Sequence, residues 1–201
     1  RGVELIRRAE DNGVSLLFEA AVGGGIPIIR PLSESLAGER VSRVLGIVNG
    51  TTNYILSRML EEGLDFSEAL EEAQQLGYAE PAPRRGKAAI LASLAFGTWV
   101  GSDHVYREGI ESLSAVDFRF AGDLGYVPKL LVVAEDTAEG VNARVHPTLV
   151  PVDHPLATVR GAQNAVFIEG PQVGELLFSG PGAGGAPTAT AVLGDVIDAA
   201  R

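Results

Sequence analysis

From Lys87 to Val100 the chain is apolar on nearly every side of a helix, interrupted only by Lys87, Ser93, Gly97 and Thr98. A helix without a polar face cannot lie on a surface; other elements have to enclose it. That requirement implies a layered domain with this helix near its centre. The chain has 201 residues, enough for one such domain.

The flanking segments differ in period. Before the central helix the spacing is mostly helical. Val3, Leu5, Ile6 and Ala9 open a first helix that ends at Asn12-Gly13. Asn49-Gly50-Thr51-Thr52 leads into a second, with Thr51 the expected N-cap and Ile55, Leu56, Met59 and Leu60 its apolar stripe. Asp65 and Glu68 have capping-box spacing for a third, which Gly77 closes. Between these, Val14–Phe18 and residues 41–49 read as strands. After the central helix the pattern turns β-like. Val127–Ala134 is one run, and Val141, Ala143 and Val145 alternate with polar residues. Ala165–Ile168 and Val173–Phe178 flank a plausible hairpin turn, and a final helix ends at Arg201. The expected fold is α+β: a mixed, mostly antiparallel sheet covered by helices on one face.

Acidic side chains outnumber basic ones, 26 to 16, and the only lysines are Lys87 and Lys129. A net charge of −10 argues against nucleic acid or an anionic membrane as partner, because counterion release by cationic groups supplies much of that affinity. No run reaches the length of a membrane span. Cysteine is absent, which removes disulfides, thiolate metal sites and thiol catalysis and fits a cytoplasmic protein.

Two glycine clusters and one lysine are where chemistry could sit. Gly180, Gly182 and Gly185 match a dinucleotide fingerprint by letter, but too little chain follows for a βαβ unit. The alternatives are a crowded turn where backbone passes backbone, or a wall beside a cofactor held mainly by something else. Val22-Gly23-Gly24-Gly25-Ile26 leaves carbonyls free behind Glu19, compatible with a tight turn or with a hard cation. Lys87 begins the apolar helix with Glu80 nearby. Partial burial would lower its pKa and suit it to proton transfer; alternatively it snorkels to the surface. His104, His146 and His154 share no ligand spacing.

Several strings, in order along essentially the whole chain, resemble the signatures of homoserine dehydrogenases. They are Phe18-Glu19-Ala20-Ala21-Val22-Gly23-Gly24-Gly25-Ile26-Pro27, Gly46-Ile47-Val48-Asn49-Gly50-Thr51-Thr52-Asn53-Tyr54, Leu76-Gly77-Tyr78-Ala79-Glu80, Lys87-Ala88-Ala89-Ile90-Leu91, Arg144-Val145-His146-Pro147-Thr148 and Gly180-Pro181-Gly182-Ala183-Gly184-Gly185. The resemblance implies an oxidoreductase interconverting aspartate semialdehyde and homoserine with NAD or NADP, on the route to threonine, methionine and isoleucine, and working as a homodimer.

It further implies that residues 1–201 are the catalytic domain, with about 1–22 and 186–201 packing on a nucleotide-binding domain whose fingerprint lies upstream of Arg1. No regulatory ACT segment is recognisable. Carried over residue by residue, Lys87 is the catalytic proton carrier. Glu80, Tyr78, Thr51 and Gly50 bind substrate. Thr51, Gly180, Gly182 and Gly184 lie beside the cofactor. Glu19, Val22, Gly24 and Ile26 offer mainly backbone carbonyls to sodium or another monovalent cation. The sequence departs from the family between Glu80 and Lys87, where the stretch is shorter, Ala82 replaces an aspartate, and two further aspartates have no counterpart. A rival reading follows: a non-catalytic dimerisation or binding domain that keeps the fold.

Overall fold

A computed structural model describes residues 2–78 and 85–201. In chain order the elements are α1 (Gly2–Asp11), β1 (Arg43–Ile47), α2 (Gly50–Glu62), α3 (Phe66–Gln75), α4 (Arg85–Ala95), β2 (Tyr106–Arg107), α5 (Ala115–Asp123), β3 (Tyr126–Thr137), β4 (Gly140–Pro151), β5 (Gln163–Gly170), β6 (Gly174–Pro181) and α6 (Gly185–Ala199). The six strands form one sheet in the order β2-β4-β3-β1-β5-β6. Only the short β2–β4 pair is parallel. The sheet is therefore mixed and mostly antiparallel, as expected, and the structure matches the α+β reading.

The alternation of side chains along the strands sorts them into two layers. Val44, Leu130, Val132, Val145, Val166 and Ile168 face α2 and α4, whose Ile55, Leu56, Met59, Ala88, Leu91 and Ala92 complete the main core. On the other face Ile47, Leu131, Val133, Ala165 and Phe167 meet Leu156, Ala157 and Val159 from the segment before β5. That segment contains only a short 3-10 turn, Pro155–Thr158. The long helices thus lie on one side.

Local signals hold where they involve few residues. Asp65 and Glu68 form the capping box of α3, and Gly77 takes a φ of +80° just past its end. Ser114 and Asp117 form another at α5, a helix the periodicity did not reveal. Three expectations fail. Val14–Phe18 is not a strand: no described strand runs beside it, and Val14, Leu16 and Leu17 are exposed. An extended run without a ladder partner leaves its backbone groups to solvent. The central helix stops at Ala95 rather than Val100, because Gly97 takes a φ of +59°. Thr51 is not the N-cap of α2; Asn49 is, accepting from the Thr52 N–H at 3.1 Å.

The register explains where α2 starts. β1 stops pairing with β3 at Gly46–Val132 and with β5 at Ile47–Ala165. Both neighbours continue past that point, so β3 and β5 flank a gap. The first turn of α2 fills it, bonding Lys129 of β3 and Gln163 of β5 through Asn53.

Candidate functional site

The N-terminus of α2 is held very close to the loop before β5. A Cβ on Gly50, the first residue of the helix, would stand 2.6 Å from the Ala162 carbonyl oxygen. Only glycine permits that approach. Thr51 follows, half-buried. Lys87, in the first turn of α4, donates from Nζ to the Val48 carbonyl at 2.8 Å. That carbonyl lies one residue before the N-cap of α2, so the structure brings Lys87 to the helix end that carries Gly50 and Thr51. Tyr78 is half-buried, its ring 5.1 Å from that of Tyr54 on α2. Glu80 lies outside the described residues.

Lys87 is partly buried, as expected, and deep burial belongs to the other lysine. Lys87 remains partly exposed, whereas Lys129 keeps only 1% of its surface. Lys129 Nζ donates to Asn53 Oδ1 at 3.1 Å and also to the Val159 carbonyl. Asn53 Nδ2 donates to the carbonyls of Gly161 at 2.9 Å and Gln163 at 3.2 Å. Ser57 Oγ donates to the Asn53 carbonyl at 2.7 Å and accepts from the Gly161 N–H at 3.1 Å. Burial, reinforced by the Arg160 cation and partly offset by Glu61, brings the Lys129 ammonium down to about 7. The signal for this residue was a lysine inside the apolar run 127–134.

The two glycine clusters, far apart in the chain, meet. The Gly25 N–H donates to the Pro181 carbonyl at 3.1 Å. A Cβ on Gly24, whose φ is +57°, would lie 2.4 Å from the Gly182 carbonyl oxygen. A Cβ on Gly180 would touch Ile26 at 3.6 Å, and one on Gly182 would fall 2.1 Å from Asn164 Cγ. Gly184, at φ +125°, then opens α6 without a side-chain cap. The 180–185 cluster thus joins a strand to a helix, yet β6 pairs antiparallel with β5. It is a close crossing of backbones and not a dinucleotide fingerprint, which needs a βαβ unit.

Within the other turn Val22, Gly24 and Ile26 are buried. Among the described residues, its backbone hydrogen bonds use the carbonyls of Phe18, Gly23 and Pro181, and none of those of Glu19, Val22, Gly24 and Ile26. That carbonyl set fits a hard monovalent cation in donor chemistry. The Glu19 carboxylate has a separate task. It accepts from the N–H groups of Ile28 at 2.6 Å, Ile29 at 2.8 Å and Arg30 at 3.0 Å. The Glu19 N–H itself donates to Asp195 of α6 at 2.9 Å, and Arg30 pairs with Asp195 at 3.0 Å and Asp198 at 2.6 Å. No group of three metal-ligating side chains occurs among the described residues.

Asn164, at the start of β5, went unnoticed in the sequence. It is 1% exposed, and its Oδ1 has no hydrogen-bond partner. It packs between Gly50 and Gly182. No periodicity or spacing marks such a residue, because its environment comes from segments more than a hundred positions apart.

A family model described as homoserine dehydrogenase matches residues 27–197. The chain belongs to the homoserine dehydrogenase family. It is 53% identical over 209 residues to a homoserine dehydrogenase of Synechocystis sp., covering 98% of this chain and 48% of that one. The corresponding protein of Mycobacterium tuberculosis is 56% identical over 211 residues, with the same two coverages of 98% and 48%. Both matches run over more positions than the 201 residues of this chain, so these homoserine dehydrogenases carry residues with no counterpart here. The crystal structure of a homoserine dehydrogenase from Thiobacillus denitrificans superposes with a TM-score of 0.96 at 45% identity, covering 100% of this chain and 48% of that one. That of the Staphylococcus aureus homoserine dehydrogenase at pH 6.5 gives a TM-score of 0.83 at 37% identity, covering 98% and 49%. The chain spans about half the length of the relatives it matches.

Proposed function

We propose that this chain is the catalytic part of an NAD(P)-dependent homoserine dehydrogenase. It interconverts homoserine and aspartate semialdehyde on the route to threonine, methionine and isoleucine, in the cytoplasm and as a homodimer. The observation that carries the reading is the bond from Lys87 Nζ to the Val48 carbonyl, which brings the one proton carrier among the candidates to the helix end bearing Gly50 and Thr51. The chain's own residues suit a cofactor beside that end. Gly50 and Gly182 sit where a Cβ would strike backbone or Asn164, and a buried polar oxygen there lacks a partner. Thr51, Gly180, Gly182 and Gly184 would line the nicotinamide side, and Glu80, Tyr78, Thr51 and Gly50 the substrate.

When bound, the cofactor supplies the hydride acceptor. In the oxidation direction the Lys87 amine takes the proton of the homoserine hydroxyl while the carbinol hydrogen leaves as hydride, and the oxygen becomes the aldehyde carbonyl. In reduction Lys87 returns that proton to the developing alkoxide. The bond to Val48 holds the amine in place for either transfer. Glu80 would hold the substrate ammonium. A monovalent cation on the carbonyls of Glu19, Val22, Gly24 and Ile26 would brace the turn that touches Gly182.

Apolar surface supports a further domain packed on residues 1–22 and 186–201. Val192, Leu193, Val196 and Ile197 are all about half exposed along α6, as is Leu5 on α1. Among the described residues no helix is long and apolar enough to cross a membrane.

In the full-length protein Lys87→Ala is expected to lower kcat about 10²–10⁴-fold, the usual contribution of a general acid–base group, with a smaller effect on the affinity for cofactor. Near-normal turnover would sink the assignment. The second reading, a dimerisation or binding domain without catalysis, is favoured by one observation: the relatives carry residues that this chain lacks. A full-length protein that dimerises but does not oxidise homoserine would select it.

A further inference from the structure

The buried oxygen on Asn164 calls for a donor. A buried acceptor without a partner costs about 1–3 kcal/mol, so such groups are rare unless a ligand or water completes them. Three features limit what can do so here. The residue is 1% exposed, so bulk solvent does not reach it freely. A Cβ on Gly50 would lie 3.5 Å from Asn164 Oδ1, and one on Gly182 would lie 2.4 Å from it. The oxygen therefore sits between the N-terminus of α2 and the glycine crossing, the two walls of the candidate site. Gly182 also touches the cation turn through Gly24, so the position of Asn164 is braced from both sides.

The donors in the reaction are few. On the reading above, the homoserine ammonium goes to Glu80 and its hydroxyl to Lys87. On the nicotinamide ring itself, the part of the cofactor that meets the reacting carbon, the hydrogen-bond donor is the N–H of the carboxamide. We propose that Asn164 holds the nicotinamide carboxamide, its Oδ1 accepting the carboxamide N–H between Gly50 and Gly182. Asn164 thereby sets the rotation of the ring and selects for a cofactor bearing that amide. A site built around one buried hydrogen bond rejects an analogue that lacks the donor, because the acceptor is then left unpaired. This assignment rests on the reading of the site as nicotinamide-dependent.

The test is calorimetric titration of the full-length protein, without homoserine, with the natural dinucleotide and with its 3-acetylpyridine analogue, in which an acetyl group replaces the carboxamide. The wild type is expected to bind the natural form about tenfold more tightly, the effect of one hydrogen bond to a buried acceptor. Asn164→Leu, close in shape but without the oxygen, should bind both forms equally, at the level of the analogue. Asn164→Ser, whose hydroxyl is too short to reach, should do the same and serves if the leucine variant does not fold. Asn164→Asp keeps an acceptor and should keep the preference. A preference that survives Asn164→Leu or Asn164→Ser overturns the assignment, as does a wild type without preference, the result expected if only water fills the position. If that wild type still oxidises homoserine, the proposed function stands and this inference alone falls. A full-length protein that binds neither dinucleotide removes both.

Discussion

Two buried polar sites lie on either side of the loop that leads into β5, and they are built in opposite ways. On one side Lys129, Asn53 and Ser57 close a network in which each side chain has protein partners. On the other, Asn164 is as deeply buried and its Oδ1 has none. A network in which each member is bonded to protein fixes the relative positions of α2, β3 and the loop. An incomplete one is unfavourable in isolation and becomes favourable when a ligand supplies the missing donor. The first is scaffold and the second is the site proposed above, although the same stretch of chain, 159–164, contributes to both. The contrast also separates the two lysines: the one named by its motif is half-exposed beside the N-terminus of α2, and the one deeply buried serves the scaffold.

The largest effect should come from breaking the closed side. Asn53→Leu removes the acceptor of a buried lysine and the donor to the loop carbonyls. Below pH 7, where the folded Lys129 keeps its proton, the substitution is expected to cost about 3–5 kcal/mol, the range for stripping one partner from a buried charge. Urea unfolding of the full-length protein measures it, and a loss under 1 kcal/mol, about the worth of one ordinary hydrogen bond, would show that the network is not what positions α2.

An intermediate effect follows from Lys129. Unfolded, it titrates near its ordinary 10.5; folded, burial lowers this to about 7. Between those values the unfolded chain binds a proton that the folded chain has released, so stability rises with pH across that window. The slope from this residue is on the order of 1 kcal/mol per pH unit, and it flattens below pH 7. Comparing denaturation midpoints at pH 7.5 and 9.5 for the wild type and Lys129→Met isolates it. The variant should lose the slope; identical slopes in the two proteins would contradict a buried, proton-shedding lysine.

The smallest effect belongs to the open side. Asn164→Leu replaces an unpaired amide by an apolar group of similar shape, and stability should change by less than about 1 kcal/mol even as cofactor selection is lost. A thermal melt in which this variant falls as far as Asn53→Leu would erase the distinction between the two sides.

The sequence was a good guide wherever a few neighbouring residues decide the outcome. The capping box at Asp65, the stop at Gly77, the alternation at 141–145 and the hairpin after Ile168 all depend on local backbone chemistry. The motifs around Gly50, Lys87 and Gly180 were legible for the same reason, as short strings. Periodicity also gave the α+β class. It failed for Val14–Phe18, because hydrophobicity makes a strand only where a neighbouring strand offers a ladder.

What the tertiary structure alone decided is which distant residues share an environment. Gly24 touches Gly182, Gly50 lies against Ala162, and Lys129 reaches Asn53 across the end of β1. The last two follow from strand register, above all from β1 ending before its two neighbours do. Burial then set the chemistry. It lowered the pKa of Lys129 and left the oxygen of Asn164 unpaired. Neither property belongs to a residue type or a spacing. Both come from the removal of water, which happens only when segments far apart in the chain close over the same point.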